Sequence, residues 1–370
     1  MESRAVVLTS LGAPRPYVES RPLEVRTLHL DPPGPGELLV HVEAAGVCHS
    51  DLSVVNGDRP RPVPMALGHE AAGVVEEVGA GVGDVAVGDR VVLVFVPSCG
   101  SCPECSSGSP ALCRRGAASN TAGELLRGGR RWGDGVHHHL GVSAFAERVV
   151  VDRGSAVVVP PEVPGEVAAL FGCALLTGVG AVENTVTVRP GDTAVVLGLG
   201  GVGLAAVMGA AQAGATTLVA VDPVPEKRAL ALELGATHAV APGPDAVAEV
   251  RDLTGGGARY AVECVGHEAV MADAFAMTAR GGTTVAVGLP HPSRQLVLPA
   301  LQLIAEARTL VGSYMGSASP QRDVPRLVAL WQQGRLPVER LRSGTTDLEG
   351  LPAAMDALAD GTAVRQLVIP

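Results

Sequence analysis

TAVVLGLGGVG, running from Thr193 to Gly203, decides the fold. Thr193 to Leu197 is a short, β-branched apolar run. Gly198, Gly200 and Gly203 then punctuate a turn, and the Ala-rich segment from Val202 to Ala213 reads as a helix. A G-x-G-x-x-G string alone is a weak signal, but a strand before it and a helix after it supply the context of a dinucleotide-binding turn. The first glycine permits the tight turn, the second lets a pyrophosphate approach the backbone, and the third lets helix pack on strand. The helix N-terminus then offers its unpaired N–H groups to the phosphates. Asp222 closes the next apolar run, TLVAVD, where a carboxylate accepts hydrogen bonds from an adenosine ribose and repels a 2′-phosphate. NAD is therefore expected over NADP, although Lys227, a candidate cofactor contact, and Arg228 follow on the next helix and would tolerate a phosphate.

Outward from this turn the strand–helix rhythm continues. A helix is expected over Pro225 to Leu234, with strand-like runs at Tyr260 to Cys264, Thr283 to Val287 and Thr309 to Val311. Alternation of this kind is solved by a doubly wound parallel sheet. Residues before about 175 read differently, as short Val-rich runs (Ala5 to Leu8, Leu38 to Val42, Ala72 to Val78, Arg90 to Val94, Ala146 to Val151) separated by Gly, Pro and Asp turns. That spacing suggests a β-rich, barrel-like domain. The tail carries an amphipathic helical pattern from Val324 to Trp331 and a last strand from Gln366 to Ile369.

A chain of 370 residues exceeds what one core usually holds, so two domains are expected. Apolar residues make up 47% and charged residues 18%, which is ample for packed cores. The net charge of -10 and the absence of any Lys/Arg run exclude nucleic acid as an expected partner. No stretch approaches the run of about 20 apolar residues that a membrane helix requires, and the first residues lack a signal-peptide core. A cytoplasmic protein with no membrane partner is expected.

Seven cysteines in such a chain point to metal ligands more than to disulfides. Cys99, Cys102, Cys105 and Cys113 lie on one Gly/Pro/Ser-rich loop. Four soft thiolates at short spacing suit a closed tetrahedral zinc site, which is structural. Of the remaining three, Cys48 sits in Gly46-Val47-Cys48-His49-Ser50-Asp51, followed by Gly68-His69-Glu70, and Cys173 sits in Phe171-Gly172-Cys173-Ala174. Two Cys and one His make a known catalytic zinc set with an open fourth position. Spacing alone cannot link ligands so far apart. The three adjacent histidines His137, His138 and His139 are expected to be solvated or loop-packing, because neighbouring side chains diverge in most backbones.

The zinc pattern GHEAAGVVEEVG from Gly68 to Gly79, the four-Cys loop and GLGGVG, in that order, carry a resemblance. Over about Ala5 to Ile369 the chain resembles the zinc-containing alcohol dehydrogenases of the medium-chain dehydrogenase/reductase superfamily. The resemblance implies a GroES-like β-rich catalytic domain over 1–175 and 318–370, and a Rossmann NAD-binding domain over 176–317. It assigns Cys48, His69 and Cys173 to catalytic zinc, Glu70 behind the metal as an occasional ligand, and Asp51 as the carboxylate that orients His69. Two zinc ions per chain and NAD follow as cofactors, with an alcohol or aldehyde as the small-molecule partner.

In that scheme zinc lowers the pKa of a bound alcohol and hydride passes to nicotinamide. Ser50 matches the relay hydroxyl, Thr177 packs near the nicotinamide, Val202 presses the ring toward substrate, and Arg365 contacts pyrophosphate. Ser53 stands where many relatives end the relay with His, so water is expected to take the proton. His49 stands where several relatives place Arg against the pyrophosphate. Phe95 and Leu289 are expected to line the substrate pocket, with His139 and Leu140 near its mouth and Arg59 further out. Ala118 in place of a larger residue suggests room for bulky or aromatic primary alcohols. Two alternatives stay open. One is a thiol-adduct formaldehyde dehydrogenase, with Arg114 or Arg115 serving for an arginine that falls near Ala117; the other is a relative whose role is structural. The long segment between Cys113 and Phe145 resembles that of dimeric members, so a homodimer is expected.

Overall fold

The computed structural model describes residues 1–370, which divide into two compact units. The first comprises Met1–Cys173, Ser319–Ala329 and Val338–Pro370; the second comprises Ala174–Ala318 and Leu330–Pro337. The excursion over 330–337 differs from a tail lying wholly in the first unit. Arg335 there donates from Nε to Gln212 Oε1 of the second unit.

In the second unit six parallel strands form one sheet, in the order His238–Val240, Thr217–Val221, Thr193–Leu197, Ala258–Glu263, Thr278–Ala286 and Thr309–Gly312. The order reverses beside Thr193–Leu197, which is where open α/β sheets bind ligands. Strands covered on both faces need apolar residues at every position. Val195, Val196, Leu218, Val219 and Val262 are accordingly all buried.

The first unit holds two sheets. The larger runs Gly344–Thr346, Gln366–Val368, Glu37–Gly46, Ala71–Val78, Arg90–Leu93 and Ala156–Val159, with Arg148–Asp152 also paired to Glu37–Gly46. The smaller joins Leu23–His29, Glu2–Leu8, Met65–Ala66 and His137–His138. Leu8, Leu38, Met65, Leu67, Leu93 and Phe145 fill the space they enclose. The last strand pairs antiparallel with Glu37–Gly46, Leu367 opposite Gly46, which ties the C-terminal tail to the metal-ligand region.

The Arg/Gly-rich stretch contains a helix, Arg114–Ala122, that its composition does not announce. Its start is capped by Cys113, whose Sγ accepts from Gly116 N, so a metal-ligand candidate doubles as the helix cap.

Candidate metal centre and dinucleotide site

Glu37–Gly46 and Ala71–Val78 are antiparallel neighbours with Ala45 opposite Ala71. Whatever follows the first strand therefore lies beside whatever precedes the second, and this is how residues distant in sequence meet. Cys48 leaves one strand, His69 and Glu70 lead into the other, and Cys173 arrives from the turn after the helix Gly165–Ala169. A ligand atom from each of the four lies within 4.8 Å of the others, and all four residues are buried. The approach is close enough that a Cβ on Gly46 would sit 2.7 Å from Glu70 Oε1, so any larger residue there would force the Glu70 side chain to move.

His69 Nδ1 faces Asp51 Oδ1 at 3.1 Å. With the proton on Nδ1, Nε2 keeps its lone pair. That atom is buried with no hydrogen-bond partner, next to the two thiols. Asp51 is held in turn by Gly68 N on Oδ1 (3.2 Å) and by Cys48 N on Oδ2 (3.3 Å). Burial opposes ionisation of Asp51, but the His69 and His139 rings outweigh it and hold the carboxyl below its usual range.

The hydrogen bond from Cys173 pulls the Cys48 thiol well below its ordinary value, with Arg365 and His69 adding to the effect against burial. The same bond, burial and the Cys48 charge push Cys173 well up. Burial pushes Glu70 up to about 7, opposed by Arg365, whose Nη1 lies 3.3 Å from Glu70 Oε2. Two thiols, an imidazole lone pair and a spare carboxylate, all desolvated, are a donor set that fits zinc with one position open.

Ligand atoms of Cys99, Cys102, Cys105 and Cys113 also lie within 4.8 Å of one another, and none of the four is in a disulfide. Backbone amides already point at the sulfurs: Cys102 N lies 3.3 Å from Cys99 Sγ and Cys99 N 3.4 Å from Cys113 Sγ. Although burial works the other way, the Ser101 and Cys102 amides draw the Cys99 thiol down to about 6. This closed set of four also fits zinc.

In the second unit Gly198 has φ of 88°, a conformation other residues rarely adopt. A Cβ on Gly203 would lie 1.7 Å from Gly198 O, so the helix Gly201–Gln212 can pack on the turn only with glycine there. Around Gly200, the N-cap of that helix, a Cβ would meet nothing within 4 Å, which leaves its amides approachable. Asp222 accepts from Leu199 N on Oδ2 (2.7 Å) and from Val224 N on Oδ1 (2.9 Å), and so closes the turn. Arg228 Nη1 donates to Asp222 O at 2.6 Å and to Pro223 O at 2.9 Å, pinning the carboxylate's own backbone.

Residues 34–161 match the alcohol dehydrogenase GroES-like domain, and residues 201–333 match the zinc-binding dehydrogenase domain. The NDMA-dependent alcohol dehydrogenase of Amycolatopsis methanolica is 40% identical over 100% of this chain and 99% of its own length. The chain belongs to the zinc-containing alcohol dehydrogenases of the medium-chain superfamily. S-(hydroxymethyl)glutathione dehydrogenase of Synechocystis is 35% identical over the full length of both chains. The crystal structure of benzyl alcohol dehydrogenase from Acinetobacter calcoaceticus is 31% identical, with a TM-score of 0.93, over 100% of this chain and 99% of that one.

Within this alcohol dehydrogenase the other candidates lie as follows. Ser50 is half-buried and His49 exposed in the first turn of the helix His49–Val55. The Ser53 hydroxyl donates to His49 O at 2.7 Å, so it is occupied by its own helix. Thr177 is buried with Oγ1 unpartnered, Val202 and Lys227 are half-buried, and Leu289 is half exposed. Phe95 meets the His69 ring edge-on at 5.5 Å. Ala118 and Arg115 are exposed, and Arg114 is engaged by Glu104, with Nε 2.9 Å from Oε2.

The Arg365 guanidinium is buried against Glu70 and donates from Nη1 to Val47 O at 3.0 Å. One placement differs from the sequence reading. The histidine run is not solvated as a whole. His138 is buried, accepts from Arg131 N at 3.1 Å and is pushed down to about 3 by burial. His139 is buried beside Asp51, a contact that spacing could not reveal because it depends on how two loops fold together.

Proposed function

We propose that this alcohol dehydrogenase transfers hydride reversibly between a primary alcohol, bulky or aromatic, and NAD, with a catalytic and a structural zinc in each chain. The observation that carries the reading is the buried, unpartnered Nε2 of His69 among two thiols and a carboxylate. Bound there, zinc would supply Lewis acidity that lowers the alcohol's pKa, and bound NAD would supply the hydride acceptor. Cys48, His69 and Cys173 would hold the metal, with Glu70 in reserve and neutralised in part by Arg365. Asp51 keeps His69 in the tautomer that leaves Nε2 free. Ser50 passes the proton outward. Because a serine hydroxyl such as that of Ser53 is no base near pH 7, water receives that proton. His49, Lys227, Thr177 and Val202 are proposed cofactor contacts, as the family resemblance suggests. A purified enzyme that reduces NAD with benzyl alcohol only while its zinc is retained is the expected result; NAD reduction undiminished after complete removal of zinc would contradict the reading.

The Asp222 carboxylate supports NAD, since it accepts hydroxyl donors and repels a 2′-phosphate. Like-charge apposition costs several kcal/mol, so kcat/KM should favour NAD over NADP by about tenfold or more. Steady-state kinetics with both coenzymes checks this, and a preference for NADP contradicts the role of Asp222.

A second reading, oxidation of a thiol adduct of formaldehyde, is supported by the similarity to the glutathione-linked relative. With Arg114 engaged by Glu104, only Arg115 is available there to meet an anionic adduct. Comparing kcat/KM for S-(hydroxymethyl)glutathione and benzyl alcohol decides between them, and benzyl alcohol is expected to be the better substrate.

The chain is further proposed to work as a homodimer in the cytoplasm, where its thiols stay reduced; no helix is long and apolar enough to cross a membrane. Thr309–Gly312 is an unpaired sheet edge, and beside it the helix Ala300–Ala305 exposes Leu301 (76%) and Ile304 (79%). An open edge flanked by apolar side chains invites pairing with a second copy. Light scattering should give twice the 37.5 kDa chain mass, and Ile304→Asp should shift the protein toward monomer; four chains per particle contradicts the dimer.

A further inference from the structure

We propose that His139 is a positioning residue for the metal centre: it braces Asp51, the carboxylate that orients His69, and thereby sets how firmly the catalytic zinc is held. The inference rests on the zinc reading of Cys48, His69 and Cys173. Asp51 Oδ1 faces three nitrogens, Gly68 N at 3.2 Å, His69 Nδ1 at 3.1 Å and His139 Nδ1 at 3.1 Å. All three residues that carry these side chains are buried. His139 Nδ1 lies off the line of a well-formed hydrogen bond and has no other partner. Its business is therefore with Asp51. A neutral ring turned toward a carboxylate keeps its proton on the near nitrogen, because a lone pair there would repel the anion. The His139 and His69 rings also meet edge-on, with centroids 5.6 Å apart. One imidazole thus constrains both the carboxylate and the ligand that the carboxylate orients.

The backbone is built to hold His139 in this place. Its N donates to Ser143 Oγ at 2.8 Å, and its carbonyl accepts from Val142 N at 3.0 Å and Ser143 N at 3.2 Å. Closing so tight a turn puts Leu140 (φ 53°) and Ser143 (φ 59°) in the left-handed region, which side-chain-bearing residues rarely adopt unless the surroundings impose it. The turn is stitched to the ligand loop by Ala144 N donating to Gly68 O and Phe145 N to Leu67 O, both at 3.0 Å.

The test is zinc release from the two-zinc enzyme into excess chelator, followed as zinc per chain, with the four-Cys zinc as the internal reference. His139→Phe fills the site and removes the nitrogen; His139→Leu is a second variant without a donor. His139→Asn keeps an amide nitrogen where Nδ1 stands. Either variant lacking the donor should lose one zinc about tenfold faster than the parent, the scale seen when partners of metal ligands are removed. The other zinc should leave at the parent rate, and His139→Asn should stay close to the parent. Unchanged release from His139→Phe and His139→Leu overturns the proposal, as does equal acceleration in all three variants, which would assign the effect to ring packing. A parent that carries only the four-Cys zinc overturns the catalytic-metal reading itself.

Discussion

Cys173→Ala and Cys48→Ser should each abolish NAD-linked alcohol oxidation while leaving a folded protein. The centre made by Cys48, His69 and Cys173 is a set of side chains at strand ends, and the sheet that positions them closes through backbone pairing and the apolar core without help from a metal. Losing one thiolate would cost the site its cation and with it several kcal/mol of charge stabilisation, about a thousandfold or more in rate. Far-UV circular dichroism should match the parent, and metal analysis should fall from two zinc ions per chain to one. Full activity in either variant contradicts the assignment.

Cys102→Ser should behave in the opposite way, failing first in folding. The loop that carries Cys99 to Cys113 has few buried side chains, and Arg114–Ala122 begins on the Cys113 cap. When metal affinity supplies folding energy, losing a ligand unfolds the lobe. Insoluble or protease-sensitive protein is expected, with whatever soluble fraction remains nicked between residues 99 and 122. A soluble, protease-resistant, fully active Cys102→Ser variant would show that the lobe does not depend on its metal.

These contrasting expectations reflect what could be read before the structure. The glycine turn after Thr193–Leu197 was legible because Gly198, Gly203 and Asp222 answer local demands: a left-handed φ, a close helix approach, and a carboxylate at the end of a strand. The four-Cys loop was legible because its ligands lie within one short stretch. Cys48, His69 and Cys173 were assigned through family resemblance, since their meeting depends on strand pairing between Ala45 and Ala71 that spacing does not encode. Leu23–His29 escaped notice as a strand rich in charged and polar residues, Ala156–Val159 as a short one, and Arg114–Ala122 as a helix hidden in a polar, glycine-bearing stretch. The Arg365 contact with Glu70 and the His139 contact with Asp51 were beyond reach for the same reason, being tertiary encounters between side chains whose local sequence is silent.

One of two zinc ions should be required for hydride transfer to NAD. That requirement is tested most directly by withdrawing zinc from the purified enzyme with a chelator while counting zinc per chain and following NAD reduction with benzyl alcohol. Two zinc ions are expected at the start, with activity falling in step with the loss of one of them and returning when zinc is restored. Full turnover by chains that retain one zinc or none would contradict it.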